Sequence, residues 1–430
     1  MLYELTTKRS RYRLSNMKVT TVIPFIQHYV WGDSYSIPKL LGKEPDGTPW
    51  AELWLGTHPK GPAKINFENK EITLQEYIKK APLEILGRAA NQFKGELPFL
   101  LKILAVEKPL SIQCHPAKSQ AEKGFLRENY DGIDINAFNR NYKDDNHKPE
   151  ILCALTPFTA LCGFRTIGEI DRLFDLLDSE IYKIHLYNHL FNDLHNESDC
   201  YRAFYSTILQ LSIDDKQEFL KELSEAAEIF SSSVPEFRLV KQLLNEYPGD
   251  ASAAAPLYLN LIELQPGEAL YQPAGELHAY IHGTGVELMA NSDNVLRGGL
   301  TGKYINIDEL MKIVKFKGVQ KEKTMSLNFV DDLSLTERGF YPTPVKEFLL
   351  SRIVPLSSVT IENRESIAIL LCTSGSGSMI FEDEQKRKQT LAIQTGTMFV
   401  ISADSSEYTI TTDDKGVVFI AEIPGEAIQL

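Results

Sequence analysis

The feature that most constrains the fold is a switch of sequence pattern, from short β-like runs to helical periods and back again. From about Thr20 to Arg165, brief apolar runs alternate with glycine and proline, among them TTVIPFI, PAKINF, LPFLLKILAV, LSIQCHP and ILCALTPFTALCGF. Such runs predict strands. Between Thr166 and about Tyr247 the apolar residues recur with helical periods, and strand-like runs then resume. The sequence therefore predicts a mainly β protein with an all-helical insertion.

Length and composition suggest how the chain divides into domains. A chain of 430 residues is longer than one hydrophobic core usually serves. The first 16 residues are basic and polar, and the alanine-rich stretch from Pro248 to Pro256 has the composition of a linker. We predict a disordered N-terminal extension over 1–16, a first β domain over 17–165 plus 251–332, a helical insertion over 166–250 and a second β domain over 333–430.

A weak internal repeat relates the two β regions. The pattern from Ile262 to Ala274 matches that from Leu391 to Ala403 at an offset of 129 residues. The repeat suggests two copies of one β sandwich or barrel. No histidine follows His282 in the sequence, so a histidine-based metal site is not expected in the second copy.

Charge and cysteine usage limit the partners and the compartment. A net charge of −13 argues against nucleic acid or an anionic membrane as the main partner, because both are bound through basic surface. No apolar run approaches the roughly 20 residues that span a bilayer, and the N-terminal segment lacks the apolar core of a secretory signal. We expect a cytoplasmic protein whose five cysteines are reduced and buried: Cys114, Cys153, Cys162, Cys200 and Cys372.

The segment Ser111-Ile-Gln-Cys-His-Pro116 places two candidate metal ligands two residues apart. On a strand, Gln113 and His115 project from the same face, whereas Cys114 projects from the other. Two side chains at this spacing can bind one ion without bending the backbone. The alternation therefore selects the amide and the imidazole rather than the thiol.

Two further ligand candidates are Glu150, in NHKPE, and His278, in PAGELHAY. Nitrogen and oxygen ligands without thiolate suit zinc, but also iron or manganese. Taken alone, each histidine is more often a hydrogen-bonded structural residue than a ligand. The four candidates occur together, and other residues on the same strand faces are also polar. Polar side chains inside a barrel cost free energy unless they serve a site, so the combination favours a binding site.

Seven ordered sequence blocks between about Gln27 and Thr301 carry a family resemblance. They are QHYVWG, AELWLGTHP, LPFLLKIL, PLSIQCHP, DNHKPE, FTALCGFR and PAGELHAYIHGTGVELMANSDNVLRGGLT. With these blocks the chain resembles the type I mannose-6-phosphate isomerases, the zinc-dependent phosphomannose isomerases of the cupin superfamily. The resemblance implies two cupin-type jelly-roll barrels with an all-α insertion domain, the second barrel without a metal site.

The resemblance also implies an activity and a cofactor. The reaction would be the reversible interconversion of mannose 6-phosphate and fructose 6-phosphate through an enediol, supplying mannose 6-phosphate for GDP-mannose. The enzyme would be a monomer acting on a small sugar phosphate. One Zn²⁺ per chain would be bound by Gln113, His115, Glu150 and His278.

Four residues are candidates for catalysis, and the resemblance implies the roles of two of them, Arg297 and Lys148. Arg297 would hold the enediolate, a task that suits a permanently charged, forked guanidinium. Glu287 lies in an apolar run, GVELM, where desolvation would raise its pKa toward the range of a general base. Lys148 would act at the sugar oxygens, and His147 is an alternative group for ring opening or proton relay.

Other residues are candidates for binding the substrate. A cation within the apolar run FLLKILAV is expensive to bury without an anion, so Lys102 attracts attention on physical grounds alone. Trp31 and Trp54 are more simply interpreted as core residues, and no physical reason makes His58 a ligand. The substrate-binding candidates are Lys102, Ser111, Lys148, Tyr280 and Asp293, the last also a possible base.

Two other functions fit parts of the pattern. A cupin oxygenase would bind iron through two histidines and a carboxylate, but the usual H-x-H pair is absent because Gln113 takes its first position. A non-catalytic sugar-phosphate-binding cupin would need neither the four ligands nor buried cations. An isomerase assay without dioxygen distinguishes an isomerase from an oxygenase, which would be inactive there. A turnover measurement with full zinc occupancy distinguishes an isomerase from a protein that only binds the sugar phosphate.

Overall fold

A computed structural model describes most of the chain. The predicted N-terminal extension, 1–16, lies outside the described residues. Within the described part, no helix combines the length and apolar character needed to cross a bilayer. The described residues are 18–191, 196–321, 328–329, 338–362, 366–383, 385–405 and 407–425.

The N-terminal part is built from strands with short helices between them. The apolar runs found in the sequence form these strands, as predicted. The strands are β1 (Val19–Ile23), β2 (Phe25–Gln27), β3 (Glu52–Leu55), β4 (Lys64–Phe67), β5 (Lys70–Thr73), β6 (Phe99–Val106), β7 (Ile112–Cys114), β8 (Glu150–Ala154) and β9 (Phe158–Phe164). The helices are α1 (Ser36–Leu40), α2 (Leu74–Lys80), α3 (Pro82–Leu86), α4 (Ala89–Gln92) and α5 (Lys118–Tyr130).

Helices occupy the region where helical periods were found. They are α6 (Ile167–Leu177), α7 (Tyr187–Leu190), α8 (Glu197–Leu209), α9 (Ile213–Phe230), α10 (Pro235–Glu246) and α11 (Ala255–Tyr258), with a π turn at Tyr182–Leu186 and a 3-10 turn at Ala251–Ala254. The alanine-rich stretch is not an exposed linker, because every residue from Ala251 to Tyr258 is buried. The stretch packs closely against β13, since a Cβ on Gly299 would lie 2.0 Å from Ser252 Oγ.

Strands resume after the helices, with one further helix, α12 (Ile307–Ile313). Those of the first β region are β10 (Leu259–Leu264), β11 (Ala269–Gln272), β12 (His278–Ala290) and β13 (Leu296–Gly299). Those of the C-terminal part are β14 (Asn328–Phe329), β15 (Arg338–Tyr341), β16 (Leu349–Ile353), β17 (Ser358–Glu362), β18 (Ala368–Ser374), β19 (Ser376–Glu382), β20 (Lys388–Gln394), β21 (Met398–Ile401), β22 (Glu407–Thr412) and β23 (Val417–Glu422). The protein is mainly β, as predicted.

The strands form three antiparallel sheets. The largest has ten strands, and its long strand β12 pairs with β6, β7, β8 and β9. A second sheet joins strands of the C-terminal part to β1, β4 and β5, with β1 paired to β21. The third contains β17, β22, β19 and β20. The first strand thus belongs to the same sheet as the C-terminal strands, which the predicted domain boundaries did not anticipate.

The pairing pattern repeats along the chain. Strand β9 pairs with β10 and β12, and β19 pairs with β20 and β22. Strands β11 and β12 begin at Ala269 and His278, whereas β21 and β22 begin at Met398 and Glu407. The start of β21 follows that of β11 by 129 residues, and the start of β22 follows that of β12 by the same number, which is the offset of the sequence repeat.

One hydrophobic core lies between the large sheet and the C-terminal strands. Alternate residues of β6, β8 and β12, such as Ile103, Ile151 and Leu288, pack in the same cluster as Leu371 and Phe419. The intervening residues of these strands project from the opposite face. The C-terminal part therefore covers the back of the three strands whose other face carries Lys102, Glu150 and Glu287.

This shared core predicts that the two parts unfold together. We expect Leu371→Ala to lower the free energy of unfolding by about 2–5 kcal/mol, because it removes buried methyl groups. The three tryptophans, Trp31, Trp50 and Trp54, all lie in the N-terminal part, so their fluorescence in urea reports on that part. Its urea midpoint should fall with Leu371→Ala and stay constant with exposed Asp414→Ala. A constant midpoint for both variants would contradict the coupling.

Candidate active site

A cavity of about 380 Å³ opens on the front face of the large sheet. Its walls come from β3, β6, β7, β8, β12 and β13 and from loops near the strand ends. More cations than carboxylates line it, although the whole chain has a net charge of −13. Such a cavity favours an anionic ligand. Its charged lining residues are Lys60, Lys102, Arg140, Lys143, Lys148, Arg297 and Lys303 with Glu52, Glu150, Glu287 and Asp293.

His115, Glu150 and His278 form a buried cluster beside this cavity. Their potential ligand atoms all lie within 4.8 Å of one another. Nε2 of His115 is 3.5 Å from Oε1 of Glu150, and Nε2 of His278 is 3.4 Å from Oε2 of the same carboxylate. These three candidates, which are distant in sequence, are thus brought together as predicted for metal ligands.

The outer ring nitrogens of the two histidines are held by backbone carbonyls. His115 Nδ1 donates to the carbonyl of Asn294 at 2.7 Å, and His278 Nδ1 donates to that of Glu276 at 3.1 Å. This fixes the tautomer in which each Nε2 carries a lone pair. Among the described residues, neither Nε2 has a hydrogen-bond partner. Two buried lone pairs and a carboxylate that converge in this way fit a metal ion.

The charges around the cluster keep its groups in the forms that bind metals. Burial, followed by the charge of Lys148, lowers the pKa of His115 to about 4, so the imidazole is neutral near pH 7. Burial alone would raise the pKa of Glu150, but Lys148, 2.8 Å away, and the two histidines hold that pKa well below its usual value. The cluster therefore offers an anionic carboxylate and the neutral imidazole of His115, beside the unpartnered Nε2 of His278.

Gln113 lies at the centre of a three-strand arrangement. It faces His278 of β12 on one side and Arg297 of β13 on the other. Directly opposite residues of an antiparallel pair project from the same face, and Gln113 and Arg297 both line the cavity. The β-structure thus places the amide and the guanidinium next to the metal-ligand cluster.

A second buried charge cluster lies on neighbouring strands. Lys102 of β6 is opposite Glu287 of β12, and its Nζ is 3.0 Å from Glu287 Oε2 and 3.6 Å from Glu52 Oε2. The ammonium also lies 5.4 Å from the centre of the Trp54 ring. Glu287 and Glu52 are thus the anions expected beside a lysine in an apolar strand. Trp54 is a core residue that also lines the cavity.

The pKa values of this pair are shifted by different effects. Burial lowers the pKa of Lys102, but the carboxylates of Glu287, Glu52 and Glu150 outweigh burial and raise it above its usual value. Burial raises the pKa of Glu287, and the charge of Lys102 only partly opposes this. Lys102 therefore remains an ammonium, whereas Glu287 is a stronger proton acceptor than an ordinary glutamate.

Three cations line the cavity where it meets solvent. Arg297, Lys143 and exposed Lys303 form no ion pair with a carboxylate among the described residues. Burial lowers the pKa of each, and Arg297 also lowers the pKa of Lys303 by repulsion. Cations without carboxylate partners at the mouth of a cavity favour the binding of an anion. The sequence interpretation missed Lys303 and Lys143, since they lie on loops with no distinctive pattern.

Asp293 is held at the cavity by two basic side chains. Its carboxylate oxygens lie 3.2 Å from His58 Nε2 and 2.8 Å from Lys60 Nζ. Burial would raise the pKa of Asp293, but hydrogen bonds from His58 and Lys60 lower it below its usual value. His58 is therefore a partner of a cavity residue. The sequence did not predict this role, because the only signal at His58 was its position in a matching block.

The remaining candidates are placed differently. Ser111 and Tyr280 line the cavity, and the buried Tyr280 hydroxyl has no hydrogen-bond partner among the described residues. Trp31 also lines the cavity, stacked on Tyr29 with 5.7 Å between ring centres. His147 is not part of the lining, and its Nε2 lies 2.9 Å from Glu347 Oε1 of the C-terminal part. The structure therefore does not bring His147 together with the other candidates.

Comparisons with known proteins agree on one family. Residues 19–167 match the family model of the phosphomannose isomerase type I catalytic domain. The mannose-6-phosphate isomerase of Escherichia coli (strain K12) is 35% identical over 391 residues, which are 90% of this chain and 96% of that protein. The mannose-6-phosphate isomerase of Homo sapiens is 31% identical over 420 residues, covering 91% of this chain and 95% of that protein.

Solved structures show the same similarity. A single-residue variant of phosphomannose isomerase from Salmonella typhimurium aligns with a TM-score of 0.84 and 33% identity, over 94% of this chain and 99% of that one. A zinc-bound mannose 6-phosphate isomerase aligns with a TM-score of 0.83 at the same identity and coverage. Zinc is thus the metal of a close structural neighbour, and the His115, Glu150 and His278 cluster fits one such ion.

The ligand cluster leads to a prediction about metal content. We expect the purified protein to contain about one zinc per chain, and His278→Ala to lose most of it, because a ligand with a free lone pair is removed. His282→Ala is a matched control, since His282 lies on the same strand but is exposed. Elemental analysis measures the zinc, and circular dichroism checks the fold. Full zinc in a folded His278→Ala variant would exclude this residue as a ligand.

Proposed function

The chain belongs to the type I phosphomannose isomerase family and is an aldose-ketose isomerase, and we propose that it interconverts mannose 6-phosphate and fructose 6-phosphate through an enediol. The observation that carries this proposal is the pair of buried, unpartnered Nε2 atoms beside Glu150 within a cationic cavity. The ligands suit zinc, and the cations suit a sugar phosphate. The mannose 6-phosphate formed would supply GDP-mannose.

We propose that Gln113, His115, Glu150 and His278 together hold the zinc ion. Gln113 is included because its strand position places it opposite His278 and on the cavity face. Three neutral ligands and one carboxylate would leave the ion with net positive charge. Bound zinc would supply this charge to the two sugar oxygens on which negative charge develops in the enediolate.

We propose Glu287 as the base that moves the proton between the two reacting carbons. Its raised pKa brings it closer to the pH at which proton transfer is efficient. Asp293 is less suited, because its pKa is lowered and its oxygens are bound to His58 and Lys60. Lys102 would keep the Glu287 carboxylate in place and donate a hydrogen bond to a sugar oxygen.

The other cavity residues would orient the substrate. Arg297, next to Gln113, would donate to the enediolate oxygens, and Lys148 would bind a sugar oxygen on the other side of Glu150. The phosphate would lie toward the exposed Lys303, with Lys143 and Ser111 nearby in the lining. The free hydroxyl of Tyr280 would donate to the sugar.

The finer architecture is also a proposal. Two jelly-roll barrels, the first interrupted by the helical insertion, are supported by the repeated pairing of β9 to β12 and of β19 to β22. Only the first would contain a metal site. A monomeric state and a cytoplasmic location remain predictions.

A coupled assay tests the proposed reaction. We expect the purified protein to convert mannose 6-phosphate into fructose 6-phosphate, to lose this activity on chelation and to regain it with zinc. The rate should be the same with and without dioxygen, because isomerisation consumes none. Activity that survives complete metal removal, or that requires dioxygen, would exclude the proposed reaction.

The assignment of the base predicts a kinetic effect. We expect Glu287→Gln to lower kcat by about 100- to 10,000-fold, because the amide cannot accept the proton. A base acts when deprotonated, and the pKa of Glu287 is raised, so the acid limb of kcat/KM in the native enzyme should lie above the usual glutamate pKa. Zinc analysis of the variant is the control. Normal turnover of a zinc-loaded Glu287→Gln variant would rule out Glu287 as the base.

A further inference from the structure

The segment that leads into β8 carries Lys148 and Glu150, and hydrogen bonds tie one side of it to the loop after β12. Asp144 accepts hydrogen bonds from the Ser292 hydroxyl at 2.8 Å and the Asp293 backbone N–H at 2.7 Å. The side-chain amide of Asn294 donates to the carbonyl of Asn146 at 2.8 Å. These contacts all lie within the first β region. They fix the segment up to Asn146, and it is fixed again at Pro149, whose carbonyl accepts from the Ala290 backbone N–H at 3.1 Å. His147 and Lys148 lie between these two anchored points.

A contact from the C-terminal part holds the next residue. His147 Nε2 donates to the carboxylate of Glu347, with 2.9 Å between the nitrogen and Oε1. Glu347 is buried, with 7% of its side chain exposed. The residue that follows it, Phe348, is fully buried in the shared core. The carboxylate is therefore a fixed point, and it lies just before β16, in the C-terminal part of the chain, none of whose described residues lines the cavity.

The backbone connects this contact to the site. The side chains of His147 and Lys148 make contacts on different sides of this segment. His147 is directed toward Glu347, and Lys148 is directed into the cavity, where its Nζ lies 2.8 Å from Glu150 Oε1. A rotation of this segment that released His147 would also turn Lys148 away. The two contacts thus act on one piece of backbone from opposite sides.

We propose that Glu347 is a positioning residue for Lys148, through which the C-terminal part shapes an active site it does not line. Glu347 touches neither the cavity nor the metal-ligand cluster. It acts by holding His147, which gives that histidine a role as a connector rather than as an acid or base. The inference rests on the proposed function, because it takes Lys148 to bind the substrate.

Three variants of the full-length, zinc-loaded protein test this role. Glu347→Ala removes the acceptor, and we expect kcat/KM to fall about tenfold with zinc content unchanged, as is usual when a residue that orients a site residue is lost. Glu347→Gln keeps an oxygen that can accept from His147, and it should retain most of the activity. Should the alanine variant not fold, Glu347→Asp replaces it, since the shorter side chain keeps the charge but cannot reach His147.

Tyr341→Phe is the matched control. The buried Tyr341 hydroxyl donates to the carbonyl of Gly267 at 2.8 Å and lies 3.0 Å from Cys153 Sγ, so it also links the two parts. This variant should lower the thermal midpoint without changing kcat/KM. A Glu347→Ala variant that does the same would overturn the proposal, because its effect would then be on stability alone.

A double variant adds a second criterion. If Glu347 acts through His147, the pair His147→Ala and Glu347→Ala should lose no more activity together than His147→Ala does alone. Losses that multiply, or equal losses in Glu347→Gln and Glu347→Ala, would contradict the proposal. The activity of the native protein tests the proposed function, whereas only the ratios between variants test this inference. Failure of one is therefore distinguishable from failure of the other.

Discussion

The burial of charge on three neighbouring strands is the constraint on which the rest of the structure depends. Lys102, Glu150 and Glu287 lie on β6, β8 and β12, and all three are nearly inaccessible to water. An isolated charge in such a place would cost several kcal/mol, so each has a partner of opposite sign: Lys102 pairs with Glu287, and Glu150 with Lys148. The alternate residues of the same strands are aliphatic, and they require a second layer behind the sheet. The C-terminal strands supply that layer. The cavity in front and the covered back are thus two consequences of one alternating pattern.

Two carboxyl groups in this cavity have opposite properties because their surroundings differ. Glu287 is almost completely buried, which raises its pKa, and Lys102, which it shares with Glu52, only partly opposes this effect. Asp293 lies on a loop between His58 and Lys60, and its pKa is lowered. A pair of groups whose pKa values move apart is a common arrangement in sites that transfer protons. The difference favours Glu287 for proton transfer and Asp293 as a fixed anion that orients its basic neighbours.

The sequence predicted the parts of the site that depend on local pattern. Period-two alternation indicated that Gln113 and His115 share a face, and the apolar run around Lys102 indicated a buried anion beside it. The resemblance joined these positions to Glu150 and His278. It could not locate Lys303, Lys143 or Lys60, because loop lysines have no periodicity and their positions depend on long-range packing. The same limit explains the error at residues 251–258. Alanine-rich composition is typical of linkers, yet here the small side chains are buried in a core cluster, and Ser252 packs against Gly299.

The position of β1 has a consequence for how the protein is made. Val19 pairs with Ile401, so β1 leaves the ribosome long before its partner strand β21 has been made. Until then, its hydrogen-bonding edge toward β21 stays open, and such edges tend to pair with other chains. Cutting the chain between the two halves would not give two intact domains. Both halves contribute strands to the sheet in which β1 pairs with β21, and each half would lose the strands of the other. In this protein the synthesis of β21, rather than the completion of the first β region alone, closes the structure.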